Sequence, residues 1–299
     1  MKLFVDDLTH VDFTYLEADR GLVGESWAVR LELDGQLNSE GMIVDFGVVK
    51  KRVKQWFDAG LDHSLVIAQG TPRLSIDAGS SVTSIDWRYP SGHPLKCVAP
   101  NQAFEILPLD VVEPESVARW CETQLESLFP DVNGIKVTLY SESIEGAFYH
   151  YSHGLQKHDG NCQRIAHGHR SRLHILRNGE RDHQLEHLWA DRFKDIYIGT
   201  EDHLINEADG VSYFAYTAPQ GDFELSLPTS TVYMIPTEST VELIATHLAK
   251  EVAAAYPDSQ VEVRAFEGIG KGAIALRSNS KLSISLAWPR YAAARITSS

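Results

Sequence analysis

Hydrophobic and polar positions alternate in WAVRLELDG, residues 26–34, the pattern of a half-buried β-strand. Residues 47–58 switch to helical spacing, with Val48, Val49, Val53, Trp56 and Phe57 on an apolar stripe. Two further amphipathic helices are predicted, from Ser116 to Phe129 and from Ser239 to Ala255. Ser239 and Glu242 have the spacing of a capping box at the start of the latter. The aromatics Trp56, Phe57, Trp120 and Phe129 read as core residues. Strand character returns at Tyr149–Leu155 and from His167 onward, as two arms of one hairpin.

The same landmarks occur twice. GMIVDFGVVKKRVKQWF leads to Leu61-Asp62-His63, and HLWADRFKDIYIG leads to Glu201-Asp202-His203. An aromatic strand and a Pro/Gly turn follow in each half, SIDWRYPSG and SYFAYTAPQG. Then come a helix start, EPESVARW or PTESTVEL, and a strand ending in glutamate, IKVTLYSE or VEVRAFE. The offset drifts from 140 residues at the Asp-His pair to 125 at Glu142 and Glu267, so the copies differ by insertions. The order strand-strand-helix-helix-strand-strand, twice, predicts an α+β protein with antiparallel sheets. The expected division is 1–147 and 148–299. Residues 146–155 are claimed by both copies: either one strand serves both, or a tail strand Lys281–Trp288 completes the first.

The chemistry concentrates in the second copy. Residues 150–203 hold nine of the thirteen histidines. His167 and His169 are two apart, so on a strand they share a face, and Gly168 leaves the other face bare. His153 lies on the partner strand. Three neutral imidazoles converging from two strands form a zinc-binding set with a fourth position open, and Cys162 sits in the intervening loop. A His-x-His pair alone is often fortuitous; the third histidine and the thiol give it weight. His150, His158, His174, His183 and His187 read as surface or loop residues, with His174 facing away from His167 and His169.

Composition narrows the class. A chain of 299 residues with 43% hydrophobic content and no run of membrane-span length reads as soluble and globular. MKLFVDDLTH has acidic residues where a signal peptide needs basic and apolar ones. Three scattered cysteines, Cys97, Cys121 and Cys162, read as reduced thiols of a cytoplasmic protein, the first and second as packed thiols. A net charge of −14 argues against a nucleic-acid binder. Arg170, Arg172 and Lys271 are candidate local phosphate contacts.

The combined landmarks resemble the family of 6-pyruvoyl-tetrahydropterin and 6-carboxytetrahydropterin synthases, the latter acting in queuosine biosynthesis. The family's first-strand histidine resembles His153, and its Cys-x(n)-His-Gly-His resembles Cys162 through His167-Gly168-His169. Its Asp-Phe before a helix matches Asp45-Phe46 well and Asp191-Arg192-Phe193 poorly. Its Leu-Asp-His matches Leu61-Asp62-His63 and, with Glu for Leu, Asp202-His203. Its Pro-Thr helix start matches Pro236-Thr237, and its substrate-gripping glutamate matches Glu267 and more loosely Glu142. In the first copy the zinc-histidine positions are expected at Glu17, Val23 and Glu25, with no cysteine nearby, so that copy lacks the metal set.

The resemblance implies two tandem tunnelling-fold (T-fold) repeats, with antiparallel sheets and paired helices on one face. It also implies a homo-oligomer with interface active sites. The implied reaction is a zinc-dependent lyase step on 7,8-dihydroneopterin triphosphate, giving 6-carboxy-5,6,7,8-tetrahydropterin. Alternatives are triphosphate elimination alone, giving the 6-pyruvoyl product, or a non-catalytic zinc- and pterin-binding scaffold. The implied roles are His153, His167 and His169 as metal ligands and Cys162 as base. Asp202-His203 and Asp62-His63 would be proton relays, and Glu267, Thr237 and Glu142 substrate contacts. The retained Asp62-His63 leads to the expectation of one zinc site per chain, completed by the first copy.

Overall fold

The computed structural model describes residues 1–278. It opens with the hairpin β1 (Lys2–Glu17) and β2 (Gly21–Asp34), helix α1 (Phe46–Ala59) and β3 (Leu65–Ala68). Strands β4 (Leu74–Ala78), β5 (Val82–Arg88), β6 (Pro94–Pro100) and β7 (Phe104–Leu107) precede helix α2 (Pro114–Leu125) and β8 (Gly134–Ser141). The order then recurs. Hairpin β9 (Phe148–His153) and β10 (His167–Arg177), with a short β11 (Glu180–Arg181), leads to α3 (His183–Arg192) and β12 (Ile196–Thr200). Strands β13 (Leu204–Ala208), β14 (Val211–Ala218), β15 (Gly221–Pro228) and β16 (Val232–Ile235) precede α4 (Val241–Ala255) and β17 (Gln260–Phe266). A last strand, β18 (Gly272–Ser278), has no counterpart in the first repeat among the described residues.

The chain is therefore α+β with two tandem repeats, but each helix is followed by a strand that pairs in parallel. Strands β3 and β12 lie parallel to the first strand of their own hairpin, and β7 and β16 extend them, also in parallel. The two main sheets run β7-β3-β1-β2-β8 and β16-β12-β9-β10-β17-β18. Residues Phe148–His153 pair only with second-repeat strands, so no strand is shared between sheets. The segment Lys281–Trp288 lies outside the described residues.

Each repeat buries its helices against its own sheet. Val49, Val53 and Phe57 of α1 join Val117, Cys121 and Leu125 of α2 beneath Trp27, Val29 and Leu31. Leu185 and Trp189 of α3 join Ile244, Leu248 and Val252 of α4 beneath Tyr149, Tyr151 and Leu173. Asp45 caps α1 by accepting from the Val48 N–H, and Asp182 caps α3 by accepting from Leu185. Helix α4 is capped by Thr240, not by Ser239.

Two features join the repeats. Three strands inserted in each, β4-β5-β6 and β13-β14-β15, form one six-stranded sheet through antiparallel pairing of β15 with β6. Its inner face, including Ile85, Trp87, Phe214, Tyr216 and Phe223, covers Leu16, Leu22, Ile165 and Tyr197. The two hairpins also cross in direct contact. Thr14 Oγ1 donates to Ser152 Oγ at 2.8 Å, and a Cβ on Gly168 would stand 2.9 Å from the Gly24 Cα. Only glycine permits that approach. No helix among the described residues is long and apolar enough to cross a membrane.

Candidate metal centre

Strand register brings the three imidazoles together. His153 pairs directly with His167, and His169 pairs with Tyr151 on the same face. One ring nitrogen from each of His153, His167 and His169 lies within 4.8 Å of the others, and all three residues are buried. His153 Nε2 and His169 Nε2 are 3.2 Å apart. The opposite nitrogens are occupied: His153 Nδ1 donates to the Ser239 carbonyl at 3.0 Å and His167 Nδ1 to the Arg164 carbonyl at 2.9 Å. Burial, then neighbouring imidazoles, pushes His153 and His167 well below the usual histidine pKa. Neutral rings with Nδ1–H engaged turn their Nε2 lone pairs toward one point, the arrangement that holds a divalent cation.

The first repeat reaches the same point. His63 lies in the loop between α1 and β3, with φ +56°. Its ring centroid is 5.2 Å from that of His167 and 6.2 Å from that of His169. His63, Cys162 and His167 also present ligating atoms within 4.8 Å of one another. His63 Nδ1 meets Asp62 Oδ2 at 2.6 Å. Burial alone would lower the His63 pKa, but hydrogen bonds to Asp62 and Cys162 outweigh it and raise it to about 10. The imidazolium therefore faces the Cys162 sulfur, which favours thiolate there.

Glu267 lies at the end of β17, its Oε1 3.9 Å from His169 Nε2 and its Oε2 4.0 Å from Lys271 Nζ. Asp202 is exposed. His203 is buried, pairs with Glu238 Oε1 at 3.4 Å and stacks on Tyr216. Burial lowers its pKa against the opposing pull of Glu238. Thr237 is exposed and donates to the Glu238 carbonyl. Glu142 is held by Arg172 Nη2 at 2.6 Å. None of these contacts of Asp202, His203, Thr237 or Glu142 reaches the imidazole cluster. Of the candidate phosphate contacts, Arg170 lies over the Phe148 ring, Arg172 is paired with Glu142, and Lys271 Nζ is 3.0 Å from Asp12.

The register also corrects the matching of the repeats. Thr14 opposes Gly24 in one hairpin as Ser152 opposes Gly168 in the other. The first-repeat counterpart of His153 is therefore Tyr15, not Glu17, while Val23 and Glu25 do stand in for His167 and His169. Leu65 pairs with Thr14 as Tyr197 pairs with Ser152, so the counterpart of His63 is Asp195 rather than His203. Asp195 also has positive φ, +56°, and binds the Arg20 guanidinium. Likewise Asp182, the α3 cap, and not Asp191, answers to Asp45. Glu142 lies one residue past the position of Glu267, which Ser141 occupies.

Sequence reasoning missed three contributors. Ser239, expected as a helix cap, instead receives His153. Arg164 is buried, donates to Ser64 Oγ at 2.9 Å, and offers its carbonyl to His167. Asp12, buried on β1, faces His169 Nδ1 at 3.3 Å. A lone aspartate within an apolar strand is the signal for the last.

Residues 7–151 match the family model described as 6-pyruvoyl tetrahydropterin synthase. Through those residues the chain belongs to that family. The match falls on the repeat without the histidine cluster. A 6-carboxy-5,6,7,8-tetrahydropterin synthase of Rickettsia bellii (strain RML369-C) is 35% identical over 54 residues, which is 18% of this chain and 39% of that relative. The chain thus spans well under half the length of that relative. The 6-pyruvoyl tetrahydropterin synthase structure from Plasmodium vivax is 22% identical, over 48% of this chain and 91% of its own, with a TM-score of 0.39. The Plasmodium falciparum structure is 20% identical over the same shares, with a TM-score of 0.38. Likenesses this distant carry no argument about the site.

Proposed function

We propose that the chain is a zinc-dependent lyase acting on 7,8-dihydroneopterin triphosphate, with one working site built by both repeats. The observation that carries this reading is the meeting of His153, His167 and His169 with Cys162 and with Asp62-His63 from the other repeat. The donor set fits zinc: three neutral imidazoles, each facing an acceptor through its second nitrogen, with room left for substrate. Bound there, zinc supplies Lewis acidity toward a substrate hydroxyl or carbonyl oxygen.

The chain's own groups divide the remaining work. Cys162, as thiolate beside the His63 imidazolium, takes the proton from the side-chain carbon next to that oxygen. His63, oriented by Asp62, moves protons between the thiol and the substrate oxygens. The electrons of the broken C–H bond expel the triphosphate. A retro-aldol-type cleavage then gives 6-carboxy-5,6,7,8-tetrahydropterin and acetaldehyde. Glu267, partly exposed beside His169, accepts N–H groups of the pterin ring. The family description favours a second reading, elimination alone to the 6-pyruvoyl product. Three free thiols support a reducing, cytoplasmic setting.

The test is turnover of 7,8-dihydroneopterin triphosphate by the zinc-loaded protein, with products identified. Carboxy product with acetaldehyde supports the queuosine-type reaction, and pyruvoyl product the second reading. His63→Ala should lose about 10²–10⁴-fold in turnover while keeping zinc. Undiminished activity in His63→Ala argues against donation by the first repeat, and no turnover by any zinc-loaded form argues against the lyase.

A further inference from the structure

We propose that Asp12, on the repeat without metal ligands, is the positioning residue that fixes His169 as a zinc ligand and couples it to the Asp62-His63 pair. This rests on the zinc reading above.

The three imidazoles are treated alike on their outer nitrogens. His153 and His167 each donate Nδ1–H to a carbonyl of their own repeat. His169 Nδ1 is enclosed and has no such carbonyl; the acceptor it faces is Asp12 Oδ1, at 3.3 Å across the boundary between repeats. A carboxylate there holds the ring in the Nδ1–H tautomer and raises the basicity of Nε2. Asp12 is itself held as an anion. Burial would raise its pKa, but His169, Lys271 and the Ser26 hydroxyl outweigh that and hold it well below the usual carboxylate range.

The backbone of the same residue grips the relay. The Asp12 N–H donates to Asp62 Oδ1 at 2.9 Å, and its carbonyl accepts the His63 N–H at 2.6 Å. The second carboxylate oxygen of Asp62 remains for His63 Nδ1. One residue thus touches a metal-facing imidazole through its side chain and both relay residues through its main chain. A shift of β1 against β10 would move the two together. This gives the first repeat a role in metal binding although it has no ligand of its own.

The experiment is zinc competition with a chromophoric chelator on the full chain, comparing wild type, Asp12→Asn, His169→Ala and the double variant. Asp12→Asn leaves the backbone bonds intact. It should weaken zinc by about 10–100-fold, with the melting temperature of the zinc-free protein little changed. In the His169→Ala background it should cost nothing further, because the partner it acts on is gone. Unchanged zinc affinity in Asp12→Asn, or equal losses in both backgrounds, overturns the assignment while leaving the zinc reading intact. Wild type without zinc overturns both. If the variant fails to fold, the histidine 15N spectrum of the zinc-loaded wild type decides. A protonated Nδ1 on His169 supports the role of Asp12, and a metal-bound Nδ1 overturns it.

Discussion

Glu25 occupies the place in the first repeat that His169 holds in the second, and its surroundings show the consequence of vacating a ligand position. Burial raises its pKa from 4.5 to about 7, against the opposing hydrogen bond from the Ser26 N–H and the charge of Arg170. The folded form therefore holds a proton that the unfolded chain has already lost between those values. Stability should fall as pH rises from 4.5 to about 7 and then level off, by on the order of 2–3 kcal/mol in all. Glu25→Gln should flatten that slope, as chemical denaturation across the window would show. An unchanged slope in the variant would mean that another group governs it. The neighbouring positions are filled by Tyr15 and Val23, and an Arg20–Asp195 ion pair stands where the relay would be. The vacated site is occupied by structural contacts.

At the scale of elements, the crossing of the two hairpins determines the site. Period-two alternation and the His-Gly-His spacing make the second hairpin legible in the sequence, and helical spacing locates α1, α2 and α4. What spacing does not convey is which Asp-His pair lies beside the histidine cluster. His63 arrives because β1 crosses β10 at Gly24 and Gly168, a contact between residues far apart in sequence. The similar-looking Asp202-His203 comes after β12 and turns toward Glu238. Ser239 differs from its expected role for a related reason: a local cap pattern competes with a tertiary partner, and the His153 ring wins. Gly168→Ala should test the crossing. Its Cβ would meet backbone on both sides, so overpacking should cost about 1–3 kcal/mol or more in denaturant unfolding. A variant of wild-type stability would show that the hairpins can separate there freely.

At the scale of the whole molecule, the repeats are joined by the shared six-stranded sheet as well as by the hairpin crossing. Neither insert is a closed unit, since β6 and β15 each rely on the other for an edge. The repeats should accordingly unfold together, in a single calorimetric transition whose van't Hoff and calorimetric enthalpies agree. Two resolved transitions would show the repeats to be independent. The duplicated landmarks make this tandem organisation legible, but the pairing of the inserts is not, because each aromatic hairpin reads by itself as a self-contained meander.

One working metal site per chain, made by the second repeat and completed by the first, is the central claim. The most direct test is elemental analysis of the purified full chain beside His167→Ala, with turnover measured on the same samples. The account predicts about one zinc per wild-type chain, lost together with turnover in the variant. Zinc retained by His167→Ala, two zincs per chain, or none in the wild type would contradict it.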